Sequence, residues 1–208
     1  MSSEMWDERY SASELVWSST PNQQVAEFAS TLSPGSALDF GGGEGRNALW
    51  LAEQGWDATV LDFSQVGLDR AQQLAGSRLT PAQQARFHTL RADAASDSVS
   101  PKTFDLVIVA YLQLASDERV SAMRTAASAV REDGYLFVIA HDSANLLAGY
   151  GGPQDPTVLY TAADLADDVS DSGLHVIRAD AVKRTVDVQG VDRTAIDALL
   201  IARRPPEV

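Results

Sequence analysis

The chain has 208 residues, 45% of them hydrophobic, which is enough for a single domain with a sizeable core on a scale of about 100 to 200 residues per domain. Its 16 basic and 29 acidic residues give a net charge of −13 with no compensating run of Lys and Arg, so a phosphate backbone is repelled and nucleic acid is not expected as a partner. Cysteine is absent, which excludes disulfides, thiolate metal sites and a cysteine nucleophile; no apolar run approaches a membrane span, and the polar start MSSEMWDERY lacks a signal peptide's regions, so a cytoplasmic protein with no membrane partner is expected.

Thr20 and Pro21 read as a cap and first-turn proline opening a helix with Val25, Phe28, Ala29 and Leu32 on its apolar face, ended by Pro34 and Gly35. Residues 37–40 form a first strand. It runs into Gly41, Gly42, Gly43 and Gly45 and then directly into a helix over 46–54, stopped at Gly55. A second strand covers 58–62, Ser64 caps a helix bearing Leu68, Ala71, Leu74 and Ala75, and a weaker third strand lies near 86–91. The apolar run 104–111 predicts a strand buried on both faces, followed by a helix over 117–131 and a fifth strand over 135–141.

The ending breaks this rhythm. Thr161 and Asp164 make a capping box, and residues 174–188 and 194–203 are two strand-like stretches separated only by a short GVD turn. Parallel neighbours need a long crossover, so these two pair antiparallel. The expected fold is α/β: three layers, a mostly parallel sheet between helices, with an antiparallel C-terminal hairpin.

The glycines of ALDFGGGEGRNALWLAEQG are a ligand cradle. They permit backbone conformations closed to other residues and clear side chains from where a ligand must touch the main chain, while the following helix aims its dipole there. Two cofactors compete for it. Counted from Gly41, the dinucleotide pattern GxGxxG fails at Arg46; counted from Gly43, GxGxxA fits through Gly45 and Ala48 but begins two residues late. Asp62 ends the second strand 17 positions after Gly45, where a carboxylate can accept hydrogen bonds from both hydroxyls of a ribose.

An acidic residue, Asp39, followed by GxGxG resembles the first motif of class I S-adenosylmethionine-dependent methyltransferases, and a parallel sheet closed by a hairpin resembles their seven-stranded Rossmann-like fold. The resemblance covers roughly residues 6–205 and includes WDERY, WSSTPN, the glycine cradle and FDLVIVAYLQL; it is to the small tellurite-resistance and thiopurine type. It implies one domain, with an N-terminal lid and helix over 1–33, a cofactor-binding core over 36–142, a substrate-side loop over 143–160, and a C-terminal helix and hairpin over 161–204. It further implies that Asp39, Gly41, Gly42, Gly43 and Gly45 form the cofactor loop, that Phe63, Asp93 and Ala94 lie toward the adenine, and that Arg46 pairs with the methionyl carboxylate. By the same resemblance, Ala110 and Tyr111 offer carbonyls to the cofactor ammonium and Trp17 closes over the methionyl end. Two departures stand out: Gly42 replaces a cysteine common among such proteins, and Gln113 replaces a common histidine, which removes an acid or base there.

Methyl transfer from a sulfonium needs alignment, exclusion of water and, for a hydroxyl or protonated amine, removal of a proton. His141 and Asp142, at the carboxyl end of the fifth strand, are the candidate bases. His88 and His175 are less suggestively placed, and three scattered histidines predict no metal site. The Gly- and Pro-rich loop after this strand carries Tyr150, Asp155 and Tyr160, which with Gln113 are expected on the acceptor side. The reading is a methyltransferase, monomer or homodimer, acting on a small molecule; the alternatives are an NAD-dependent oxidoreductase and a noncatalytic S-adenosylmethionine-binding protein.

Overall fold

The computed structural model of the protein describes residues 6–8, 10 and 20–207. In chain order the described elements are α1 (Gln23–Ala29), β1 (Ser36–Phe40), α2 (Arg46–Glu53), β2 (Asp57–Asp62), α3 (Gln65–Arg78), the single turn α4 (Pro81–Gln84), β3 (Phe87–Arg91) and β4 (Phe104–Ala110). There follow α5 (Ser116–Ala129), β5 (Val130–His141), the short α6 (Asn145–Ala148), a 3-10 turn (Pro156–Val158), α7 (Ala162–Asp168), β6 (His175–Val188) and β7 (Val191–Arg203). One sheet takes the order β3-β2-β1-β4-β5-β7-β6. Its first five members run parallel, and β7 lies antiparallel to both β5 and β6. This is the seven-stranded architecture expected from the sequence.

The period of two along β4 divides the core between the faces. Leu106 and Ile108 join Val25 and Ala29 of α1, Leu49 and Ala52 of α2, and Leu68 and Ala71 of α3 on one side. Val107 and Val109 join Ala122, Met123 and Ala126 of α5 and Leu165 of α7 on the other. Both faces are covered, which is why the strand reads as an unbroken apolar run rather than an alternation.

Three local details differ from the sequence expectation. The cap of α1 is Asn22, whose Oδ1 accepts from Val25 N at 3.1 Å, so Pro21 precedes the cap instead of entering the first turn. β5 starts at Val130, five residues early, because residues 131–134 bulge out between the pairs Phe104↔Val130 and Leu106↔Tyr135. A Cβ on Gly134 would lie 2.9 Å from two carbonyl oxygens, so glycine makes that bulge possible. The hairpin turn is Gln189-Gly190, both at positive φ, and not GVD, since Val191 and Asp192 already belong to β7.

The hairpin outgrows its neighbour. β7 pairs with β5 only as far as His141↔Asp197, whereas residues 191–196 pair with β6 alone and carry the arm about 20 Å past the carboxyl end of β5. The loop 143–160 is not structureless beneath it. Asn145 Oδ1 accepts from Ile196 N at 2.8 Å, and Asp142 N donates to Ile196 O at 3.1 Å, so loop and arm are tied together.

Truncating Ile108 to alanine removes a fully buried side chain from the middle of the central strand, with an expected cost of about 2–5 kcal/mol, measurable as a fall in the urea midpoint at unchanged slope.

Candidate functional site

The loop after β1 is shaped from two directions. Gly41, Gly43 and Gly45 all have φ between 58° and 72°, so the chain reverses through left-handed conformations, and the amides of Gly41 and Gly42 both donate to Leu61 O at the end of β2. Gly42 lies at the tightest point: a Cβ there would stand 2.7 Å from the Asp39 carboxylate and 2.8 Å from Val60 Cγ2. Glycine, where a cysteine is common among the proteins the sequence resembles, is therefore required by packing in this chain.

Asp39 is 1% exposed and accepts from Asn47 Nδ2 and from Ala48 N, both at 3.3 Å, so it anchors the start of α2 behind the loop. Burial pushes its pKa up to about 6, against the opposing pull of Asn47, the Ala48 amide and Arg46. Asp62 sits across the loop. Its Oδ2 accepts from Gly43 N and its Oδ1 from Ser64 N, each at 2.9 Å, and each oxygen retains a lone pair for a further donor. At 6% exposure it too is raised by burial, with the Ser64 and Gly43 amides opposing and Asp7 adding repulsion. The N-terminal segment reaches this place: Asp7 bonds the Ser64 hydroxyl, and Tyr10 packs on Gly67. Trp17 lies outside the described residues.

Around the carboxyl ends of β4 and β5 a second group converges. Tyr111 occupies φ 59°, donates its hydroxyl to Asp197 Oδ2 at 2.9 Å, and receives Asn22 Nδ2 at 3.4 Å. Burial and the charge of Asp197 raise its pKa, so the phenol remains a donor. Asp197 is fully buried and also accepts from Arg184 Nε at 2.7 Å, while His141 Nδ1 stands 3.5 Å from its Oδ1. Burial works to raise the Asp197 pKa, but His141, Arg184 and Tyr111 together hold it below the usual carboxylate range. Asn22 N in turn donates to Asn47 Oδ1 at 3.0 Å, so hydrogen bonds run without a break from Asp39 through Asn47, Asn22 and Tyr111 to Asp197. Arg46 lies between these groups; burial lowers its pKa, opposed by Asp39 and Tyr111, while the Arg184 charge adds to the lowering.

Several expected site residues also carry structural hydrogen bonds. Gln113 bridges the site's supports, donating to Val158 O at 2.6 Å and accepting from His141 N at 2.8 Å. Tyr160 is 1% exposed and donates to Leu112 O, and Asp155 caps the 3-10 turn through both the amide and the hydroxyl of Thr157. Asp142 is buried with its Oδ1 on Ala144 N at 2.8 Å. Asp93 folds its own loop, accepting from Ala95 N beside the buried Ala94. Phe63 and Ala110 are half-buried at the ends of β2 and β4, and Tyr150 is 47% exposed with Arg193 of the hairpin over its ring. Sequence reasoning missed Asn22, Asn47, Arg184 and Asp197. Only Asp197 left a signal, as the one carboxylate inside the apolar run AIDALLIA. No cluster of potential metal ligands occurs among the described residues, and no helix among them is long and apolar enough to cross a membrane.

The sheet order, the glycine loop after β1 and the acidic end of β2 together define a class I methyltransferase fold. Residues 37–134 match the family described as "Methyltransferase domain". It is similar to the tRNA 5-carboxymethoxyuridine methyltransferase of Escherichia coli, 33% identical over 111 residues, 53% of this chain and 41% of that protein. The chain thus spans well under half the length of that curated relative. A solved structure described under "Conversion of a Disulfide Bond into a Thioacetal Group during Echinomycin Biosynthesis" overlays with TM-score 0.74 at 22% identity, covering 98% of this chain and 92% of that one. The glycopeptide N-methyltransferase MtfA, solved with S-adenosylmethionine, overlays with TM-score 0.66 at 16% identity, covering 89% and 95%.

Two consequences can be measured. Gly42→Ala should destabilise the fold by about 1–3 kcal/mol through overpacking against Asp39 and Val60, read as a lower melting temperature. Asp39 has a folded pKa above its unfolded one, so its charge disfavours the fold at pH above about 6 and this penalty fades as pH falls toward the unfolded value. Asp39→Asn should therefore gain stability relative to wild type by about 1–3 kcal/mol at pH 8, a gain that shrinks to near zero at pH 4 in paired denaturation curves.

Proposed function

We propose that the protein transfers the methyl group of S-adenosylmethionine to a small-molecule acceptor, with the loop after β1 and Asp62 holding the nucleoside. The observation that carries this is the bond from Gly43 N to Asp62 Oδ2: it fixes a buried carboxylate at the mouth of a glycine-rich loop, with lone pairs left for two hydroxyls. Arg46 is the residue for the methionyl carboxylate, since an anion there offsets the desolvation that lowers its pKa. Phe63 and Ala94 are placed for the adenine, and the carbonyls of Ala110 and Tyr111 for the ammonium.

When bound, S-adenosylmethionine supplies an activated methyl group and a neutral leaving sulfide. The chain's part is to align the acceptor and keep water out, effects worth about 7–11 kcal/mol where the geometry is well set. The tied loop and hairpin do this on the acceptor side, and Tyr150 and Arg193 stand at their rim.

The E. coli relative acts on tRNA, which makes RNA the second reading of the acceptor. Against it stands the net charge of −13, since each phosphate contact needs a local cation. The terminal antiparallel hairpin and the family match oppose the NAD-dependent alternative.

Calorimetric titration tests the reading. S-adenosylmethionine should bind the wild type and NAD should not, and Asp62→Ala should weaken S-adenosylmethionine binding about 10- to 100-fold, as expected for hydrogen bonds to a charged acceptor. Equal affinity in the two proteins overturns it.

A further inference from the structure

His141 is held more tightly than a strand-end histidine needs to be. Tyr111 covers one part of the ring, with centroids 4.7 Å apart at 40°. The Gly152 backbone approaches closely enough that a Cβ there would stand 2.8 Å from Nδ1 and 3.1 Å from Cδ2, and its φ of 78° favours glycine independently. The backbone amide of His141 is fixed by Gln113. Its Nδ1 is buried without an ordinary hydrogen bond among the described residues, and the acceptor it faces is Asp197 Oδ1 at 3.5 Å. A buried ring nitrogen left in that condition is unusual, and a slight ring rotation toward the carboxylate would satisfy it.

The carboxylate is built to stay charged. Asp197 lies opposite His141 in the β5–β7 register and receives Tyr111 and Arg184 as well. The charged and titratable groups around the imidazole are thus Asp197 and Arg184 from the hairpin, Tyr111 from the end of β4, and Arg46 from α2, which is coupled to Tyr111 and Arg184. With Nδ1 turned to the carboxylate and the ring covered by Tyr111 and Gly152, Nε2 is the nitrogen left for a ligand; the side chain is 17% exposed.

We propose that Asp197 positions His141 through Nδ1 as the base that takes the acceptor's proton, so that the acceptor presents a neutral hydroxyl or phenol rather than a thiolate. This rests on the methyltransferase reading. In the step, an acceptor oxygen forms a bond to the methyl carbon as the carbon–sulfur bond breaks, the bonding pair returns to sulfur, and the hydroxyl proton passes to His141 Nε2. Asp197 keeps its charge throughout and balances the imidazolium. Arg184 tunes this charge from the arm, and its competition for Asp197 is why the His141 contact is the longer of the two.

The test is the tautomer of His141, read by long-range proton–nitrogen NMR on the full chain labelled in its 3 histidines, with His141→Gln identifying the signal. Neutral His141 should carry its proton on Nδ1, and Asp197→Ala should abolish that preference. A wild-type His141 protonated on Nε2 overturns the proposal, and this outcome needs no variant of Asp197 to fold. Released S-adenosylhomocysteine provides a second readout, with catechol and dithiothreitol as probes. His141→Gln should lower catechol turnover about 100-fold or more. Turnover of dithiothreitol alone, unchanged in that variant, overturns the proposal. Loss of S-adenosylmethionine binding by the wild type would instead strike the underlying reading.

Discussion

The structure turns on a buried line of hydrogen bonds that joins the two ends of the domain. Asp39 belongs to β1 and Asp197 to β7, 158 positions apart in sequence, yet Asn47, Asn22 and Tyr111 connect the two without a gap. Each member is buried or nearly so, and an unpaired polar group in such a place costs on the order of 1–3 kcal/mol. The network therefore constrains more than its own residues. It fixes the start of α1 to the start of α2, and it fixes both to the hairpin, so that the glycine loop and the hairpin hold a defined spacing. Tyr111 is its pivot, and the left-handed backbone at that residue is what brings the phenol round from the end of β4.

The two sides of the site differ in how they are made. At the glycine loop after β1 the main chain does most of the work, through glycine amides directed at Leu61 and Asp62. Around the ends of β4 and β5 the geometry comes from side chains that reach between distant elements, such as Gln113 from the β4 end to the loop and Asn145 from the loop to the hairpin. A backbone-built cradle is tolerant of change outside its glycines. A side-chain-built wall is altered by single substitutions.

This difference also explains what the sequence disclosed. The cradle was legible because glycine spacing and the acid at the end of β2 are local signals, and the sheet was legible because strands buried on both faces read as apolar runs. The acceptor side was not. Tyr160 has the composition of a pocket residue but packs in the core under Arg119, and Asp155 closes a turn. The partners that matter there, Asp197 and Arg184, are brought beside His141 by pairing between strands, a relation that no periodicity along the chain records. The early start of β5 was hidden for the same reason, since its bulge depends on the carbonyls of Phe104 and Asp105 across the ladder.

The two-residue bend at Gln189 and Gly190 has an influence well beyond its own location. It pairs Val188 with Val191 and so, by counting along the ladder, sets Arg184 opposite Ala195 and within reach of Asp197. One additional residue at the bend, with β7 unmoved against β5, would slide β6 by a single step and turn the guanidinium to the opposite face of the sheet. The electrostatic setting of the reaction chamber is thus adjustable by chain length at a tip that touches neither ligand, a kind of remote trim that insertions and deletions can work on while the residues of the chamber remain the same.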